Sequence, residues 1–227
     1  MRGTPLDRRT VLRGMAAATA AGLAGCGLLG PGGGENTTLS PPGNYEALQR
    51  VDPDYPIYGE PLPEVSVAAP LRGRDVSTRE FVGDRHVLVT FAYTRCGSIC
   101  PALTSNLVQV QADAAERGYG DDVALLVVTF DPAYDTAERF EQFCRDRGAD
   151  VAADNWFALR PESEARVQEV VVEAFGHPFQ ENPGEGMPWI HNPLLVFANA
   201  RGYVERSYTN EVPDPATVLD DVRAVVE

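Results

Sequence analysis

Two cysteines four apart, Cys96 and Cys100, lie where a run of strand-forming residues from His86 to Thr94 gives way to a helical pattern. A helix start offers backbone N–H groups without partners and the positive end of a dipole, and both favour thiolate over thiol. A thiolate pair placed there can exchange disulfides or hold a soft metal ion. The plainer reading is a structural disulfide, for which a chain of 227 residues with a core of its own has little need.

The surrounding pattern predicts the elements that position this pair. His86–Thr94 is a buried strand by its continuous apolar and β-branched content. Pro101 suits the first position of a helix, on which Leu103, Leu107, Val110 and Ala114 recur at helical spacing as far as Gly118. That puts Cys100 near the N-cap and Cys96 in the loop before it. Val123–Phe130 reads as a second buried strand closed by Asp131-Pro132, and Asp135 and Thr136 can cap a helix carrying Phe140, Phe143 and Cys144. A short strand at Trp156–Leu159 is followed by a helix over Glu162–Phe175, with Val167, Val170, Val171 and Ala174 inward. A Gly/Pro-rich loop, His177 to Ile190, leads to a hairpin of Leu194–Ala198 and Tyr203–Tyr208, and Pro215–Val226 closes the chain as a helix. This order predicts an α/β fold: a central mixed sheet flanked by crossover helices, thioredoxin-like, with an inserted loop and hairpin region.

Composition narrows the partners. The formal net charge is −14, and all nineteen basic residues are arginine. An acidic, lysine-free surface rejects nucleic acid, whose phosphates need cations. It fits a protein kept soluble in high salt, and equally a genome biased toward arginine codons.

The N-terminus reads as an address. Arg8-Arg9 precedes a weakly apolar run, Met15 to Ala24, in the manner of a twin-arginine export signal. The run ends Leu23-Ala24-Gly25-Cys26, which resembles the lipobox of prokaryotic lipoproteins, whose cysteine is lipidated. It is shorter than the roughly 20 apolar residues needed to span a bilayer, which weighs against an uncleaved anchor. The expected division is a signal over 1–26, a flexible tether over 27–60 and one domain over 61–227. The expected location is the extracytoplasmic face of the cell membrane, where dithiols tend to oxidise.

Three ordered segments carry a resemblance. Phe91-Ala92-Tyr93-Thr94-Arg95-Cys96-Gly97-Ser98-Ile99-Cys100-Pro101, Asp131-Pro132-Ala133-Tyr134-Asp135-Thr136 and Ile190-His191 together resemble the Sco/SenC family of copper-handling proteins. The resemblance covers roughly residues 61–227 and departs at Gly97, where that family commonly has proline, which loosens the loop. Pro193 stands where thioredoxin-like proteins often have a cis-proline.

The resemblance implies copper, as Cu(I) and also as Cu(II), held by Cys96, Cys100 and His191. It implies a role in building the binuclear copper site of cytochrome c oxidase subunit II. Two sulfurs and one nitrogen suit a soft ion of low coordination, and three ligands leave a position open for hand-over, whereas structural zinc wants four. Asp131 could support the metal loop from behind. Two classes stay open: a delivery protein with no turnover, and an extracytoplasmic thiol–disulfide oxidoreductase in which Cys96 and Cys100 are the catalytic dithiol.

Other candidates have plainer readings. His86 merely opens a strand, Cys144 is a buried small hydrophobe, and Asp131 and Asp135 can do no more than turn the chain and cap a helix. Met187 and Trp189 pack or face a partner, although a thioether can visit Cu(I). His177, placed in a mobile loop, is an auxiliary ligand at most.

Overall fold

The computed structural model of the chain describes residues 35–184 and 186–227. The expected export signal and the lipidation site Cys26 lie outside them. Among the described residues no helix is long and apolar enough to cross a membrane.

A short helix α1 (Tyr45–Val51) precedes a hairpin of β1 (Ser66–Ala69) and β2 (Arg74–Ser77). The core follows: β3 (His86–Ala92), α2 (Ile99–Arg117), β4 (Val123–Thr129), α3 (Ala137–Arg145) and β5 (Trp156–Leu159). Helix α4 (Glu164–Val167) continues with π winding over Gln168–Ala174. Two short strands, β6 (Phe179–Glu181) and β7 (Trp189–His191), then precede β8 (Leu194–Ala198), β9 (Val204–Thr209) and α5 (Pro215–Val226). The five-stranded sheet has the order β5-β4-β3-β8-β9. Strands β3, β4 and β5 run parallel, and β8 and β9 are antiparallel to their neighbours. This is the mixed sheet with crossover helices that the element order predicts.

Strands β3, β4 and β8 are central and covered on both faces, which is why their apolar runs are continuous: Val123 to Thr129 and Leu194 to Ala198 are buried throughout. Helix α2 packs Leu103, Leu107, Val110 and Ala114 inward and ends on Gly118 in the left-handed conformation. It starts earlier than the sequence suggests, so Pro101 is third rather than first. A proline is tolerated there because N–H groups of the first turn lack intrahelical acceptors.

Helices α2 and α5 are clasped at Asp113. Its carboxylate accepts from Arg223 at 2.5 and 3.1 Å, from the Tyr119 hydroxyl at 2.5 Å and from Arg117 at 3.0 Å. The Arg223 guanidinium first, then Tyr119 and Arg117, hold this carboxyl well below the usual carboxylate range. A depressed folded value means the clasp contributes fully above the unfolded value of about 3.9 and is lost as pH falls. Asp113→Asn is expected to lower stability by about 1–2 kcal/mol at neutral pH, since the arginine partners are partly solvated. The gap from wild type should narrow near pH 2.5 in urea unfolding; an equal gap at both pH values would refute the carboxylate account.

The tether expected over 27–60 is not free where it is described. Glu205, buried in β9, accepts from the backbone N–H of Thr38 at 2.7 Å and of Leu39 at 2.9 Å, and the Asn199 amide bonds Asn36 O at 2.8 Å. Further along, Gly59 N donates to Val204 O at 2.8 Å and Ser207 Oγ to Pro56 O at 2.5 Å, with Ile57 and Tyr58 buried. The segment covers β9, the edge strand of the sheet, whose unpaired backbone groups need partners. Low apolar periodicity concealed this because the segment is held mostly by long-range polar bonds.

Candidate metal centre

Strand β3 delivers the dithiol loop. Beyond Ala92 the chain turns, Cys96 N donating to Tyr93 O at 3.1 Å, and then enters α2 at Ser98. Ser98 makes no side-chain cap. Instead the backbone N–H of Cys100 donates to Cys96 Sγ at 3.4 Å, so a sulfur takes one of the unpaired donors of the first turn. The two residues before Cys96 are clamped from below. Asp135 accepts from the Thr94 hydroxyl and the Thr129 hydroxyl, each at 2.5 Å, and from Thr94 N at 3.2 Å. Asp131 accepts from Arg95 at 2.6 and 3.2 Å.

Both carboxylates thus steady the loop. Asp131 reaches it through Arg95, and Asp135 does not cap α3: Thr136 does, accepting from Arg139 N at 3.3 Å. Burial pushes the Asp135 carboxyl up from its ordinary value.

His191 arrives from the other end of the chain on β7. The region read as a loop holds a small hairpin, with Phe179 opposite His191 and Glu181 opposite Trp189. Tyr93, one turn ahead of the dithiol, donates its hydroxyl to Trp189 O at 2.9 Å and fixes β7 against the loop. His191 Nδ1 lies 2.9 Å from Asn192 O, a carbonyl that can only accept, so the hydrogen sits on Nδ1. Nε2 therefore turns its lone pair toward Cys100 Sγ, 3.2 Å away. The ring is walled by Tyr93 and Phe130, at centroid distances of 5.9 and 4.9 Å. The donor atoms of Cys96, Cys100 and His191 all lie within 4.8 Å of one another. Two sulfurs and an imidazole nitrogen make a soft donor set that fits Cu(I).

The two thiols are unequal. The hydrogen bond from the Cys100 thiol, aided by the N–H groups of Ser98 and Cys100, pulls Cys96 down to about 3. Burial, reinforced by the neighbouring Cys96 thiolate, pushes Cys100 up. Cys96 is accordingly a thiolate and Cys100 the thiol that donates to it. Alkylation of Cys96 by iodoacetamide is expected to be nearly flat from about pH 5 to 8, where an ordinary thiol gains roughly tenfold per unit. Peptide mapping should find Cys96 modified before Cys100 and Cys144; a rate climbing tenfold per unit would contradict the assignment.

Other sequence candidates fall elsewhere. His177 is not in an exposed mobile loop: it is 3% exposed, stacked on Phe91 at 4.9 Å, and burial then His191 push it down to about 3. Its ring centroid is 5.3 Å from that of His191, but it does not join the three clustered donors. His86 opens β3 and accepts from Ala200 N at 3.2 Å. Cys144 is fully buried, and burial pushes its thiol up to about 12. No cis peptide occurs among the described residues, so Pro193 is trans. Sequence reasoning missed the bond from Tyr93 to β7 and the Thr94–Asp135 contact. An aromatic and a threonine beside the first cysteine carry no local signal of their distant partners.

A family model described as SCO1/SenC matches residues 70–227. A SCO1 protein homolog of Bacillus subtilis is similar at 24% identity over 153 residues, covering 67% of this chain and 76% of its own. Among solved structures, BsSco is described as a member of the Sco family of cytochrome c oxidase assembly proteins with a disulfide switch. It aligns with TM-score 0.59 and 21% identity over 75% of this chain and 95% of its own. Arabidopsis thaliana ScoI, solved with copper bound, aligns with TM-score 0.55 and 17% identity over 72% and 97%. The mixed sheet flanked by helices is their thioredoxin-like fold.

Proposed function

The chain belongs to the SCO1/SenC family, and from that membership we propose that it is a membrane-tethered copper-binding protein serving the binuclear copper site of cytochrome c oxidase subunit II. It delivers copper to that site or keeps the site's cysteines reduced. The observation that carries this reading is the convergence of Cys96, Cys100 and His191, whose donor atoms lie within 4.8 Å. Copper is cargo here. Cys96 meets the ion as a thiolate, Cys100 releases its proton to solvent, and His191 presents the Nε2 lone pair that its bond to Asn192 has oriented. The Asp135 and Asp131 contacts hold the loop so that little rearrangement is needed on binding. The lipobox-like Cys26 supplies the tether, on the extracytoplasmic face after twin-arginine export.

Anaerobic titration of the reduced protein with Cu(I) is expected to saturate at about one equivalent, with X-ray absorption reading two sulfurs and one nitrogen, as a soft three-donor site implies. No uptake at one equivalent would end the copper reading.

The inequality of the two thiols favours a second reading, thiol–disulfide exchange without metal. Cys96 attacks a partner disulfide as the thiolate, and Cys100 resolves the mixed disulfide after losing its proton. Reduction of a model disulfide by metal-free protein tests it, and the two activities can coexist.

A further inference from the structure

The hairpin that carries His191 touches the dithiol loop at a second point. Met187, in the turn between β6 and β7, places its sulfur 3.4 Å from the backbone N of Gly97 and 3.6 Å from Ser98 Oγ. Ser98 Oγ is in turn 3.9 Å from Cys96 Sγ. The turn is itself held, since the Asn182 side chain donates to Met187 O at 2.9 Å and Asn182 N to Pro188 O at 2.8 Å. A thioether is a weak acceptor, and this one is held by an N–H that exists only because position 97 is not proline. Met187 is also 37% exposed, whereas Cys96 and Cys100 are only 4% and 0% exposed. The soft donors therefore form a graded series, from solvent through a neutral thioether to two sulfurs and an imidazole.

We propose that Met187 is the hand-over ligand of this site, the donor through which Cu(I) passes between the three inner ligands and a thiolate partner. The proposal rests on the copper reading above. Its sulfur is two hydrogen-bond steps from Cys96, too remote for a standing fourth ligand but within reach of a side chain with three rotatable bonds. In the step, a Cu–S bond to Met187 forms as the Cu–N bond to His191 Nε2 breaks. One neutral donor replaces another, so copper stays Cu(I) and neither proton nor electron moves. Partner thiolates then displace Cys96, Cys100 and Met187 in turn, and Cys100 takes a proton back from water.

The test compares wild type with Met187→Leu, which keeps bulk and removes the sulfur. Equilibrium Cu(I) affinity is read by competition with bicinchoninate, and the rate of loss is read with excess dimercaptosuccinate as thiolate acceptor. Affinity should change less than about twofold while transfer slows about tenfold, the signature of a group acting on the barrier alone. Gly97→Pro, which removes the N–H holding the sulfur at a position where an added Cβ meets nothing within 4 Å, should also slow transfer. Unchanged transfer in Met187→Leu overturns the proposal. So does a large loss of equilibrium affinity, which would make the thioether a standing ligand. Failure of wild type to take up Cu(I) is a different result, and removes the copper reading on which the proposal stands.

Discussion

Replacing His191 with alanine is expected to lower Cu(I) affinity by about a hundredfold or more, beyond the range seen on losing a supporting group around a metal site. The ring supplies the one nitrogen among three clustered donors, and its tautomer is set by Asn192 before any ion arrives. The fold should survive, because the imidazole is only partly buried and β7 is still held by Tyr93 through Trp189 O. Thiol chemistry should survive as well. The two backbone N–H groups that help hold the Cys96 thiolate belong to the dithiol loop, as does the Cys100 thiol, the largest contributor. The decisive measurement is chelator competition on the reduced variant beside its alkylation rate and circular dichroism. Wild-type affinity in the variant would remove His191 from the site and leave the ion to the two sulfurs alone.

The second large effect is structural. Gly176→Ala is expected to destabilise the domain by about 3 kcal/mol or more, combining left-handed strain with overpacking. Gly176 closes α4 at φ 59°, its N–H donating to Val172 O and that of His177 to Val171 O, each at 3.0 Å. This Schellman-type close is one residue wider than usual because the preceding turns are π-wound. A Cβ at this position would lie 2.1 Å from the backbone carbon of Asp54, which cannot yield as a flexible side chain could. The segment ahead of β1 and the start of the His177 loop would have to separate. Chemical denaturation reads the loss directly, and a variant within about 0.5 kcal/mol of wild type would show that the two backbones part easily.

Apolar runs and helical spacing made the core legible. Strands β3, β4, β5 and β8 read correctly because burial on both faces leaves an unbroken hydrophobic record, and the order of elements then admitted few topologies. The dithiol was legible for a local reason: its chemistry comes from its own turn and from the helix start beside it. His191 was named through its resemblance to a known motif, since nothing in its neighbourhood speaks of Cys100, 91 positions away along the chain.

Other features exist only once the chain has closed on itself. Segment 36–60 looked like a tether because its anchors are Glu205, Asn199 and the edge of β9, all far along the sequence. His177 looked mobile because burial under Phe91 has no local signature. Asp135 looked like a cap because its partners, Thr94 and Thr129, meet it through the parallel pairing of β3 and β4. Periodicity reports which side of an element avoids water, and so it captures the apolar core. Polar pairings between distant segments leave no period, and on them depend the clamp beneath Cys96, the approach of the imidazole and the thioether above the loop.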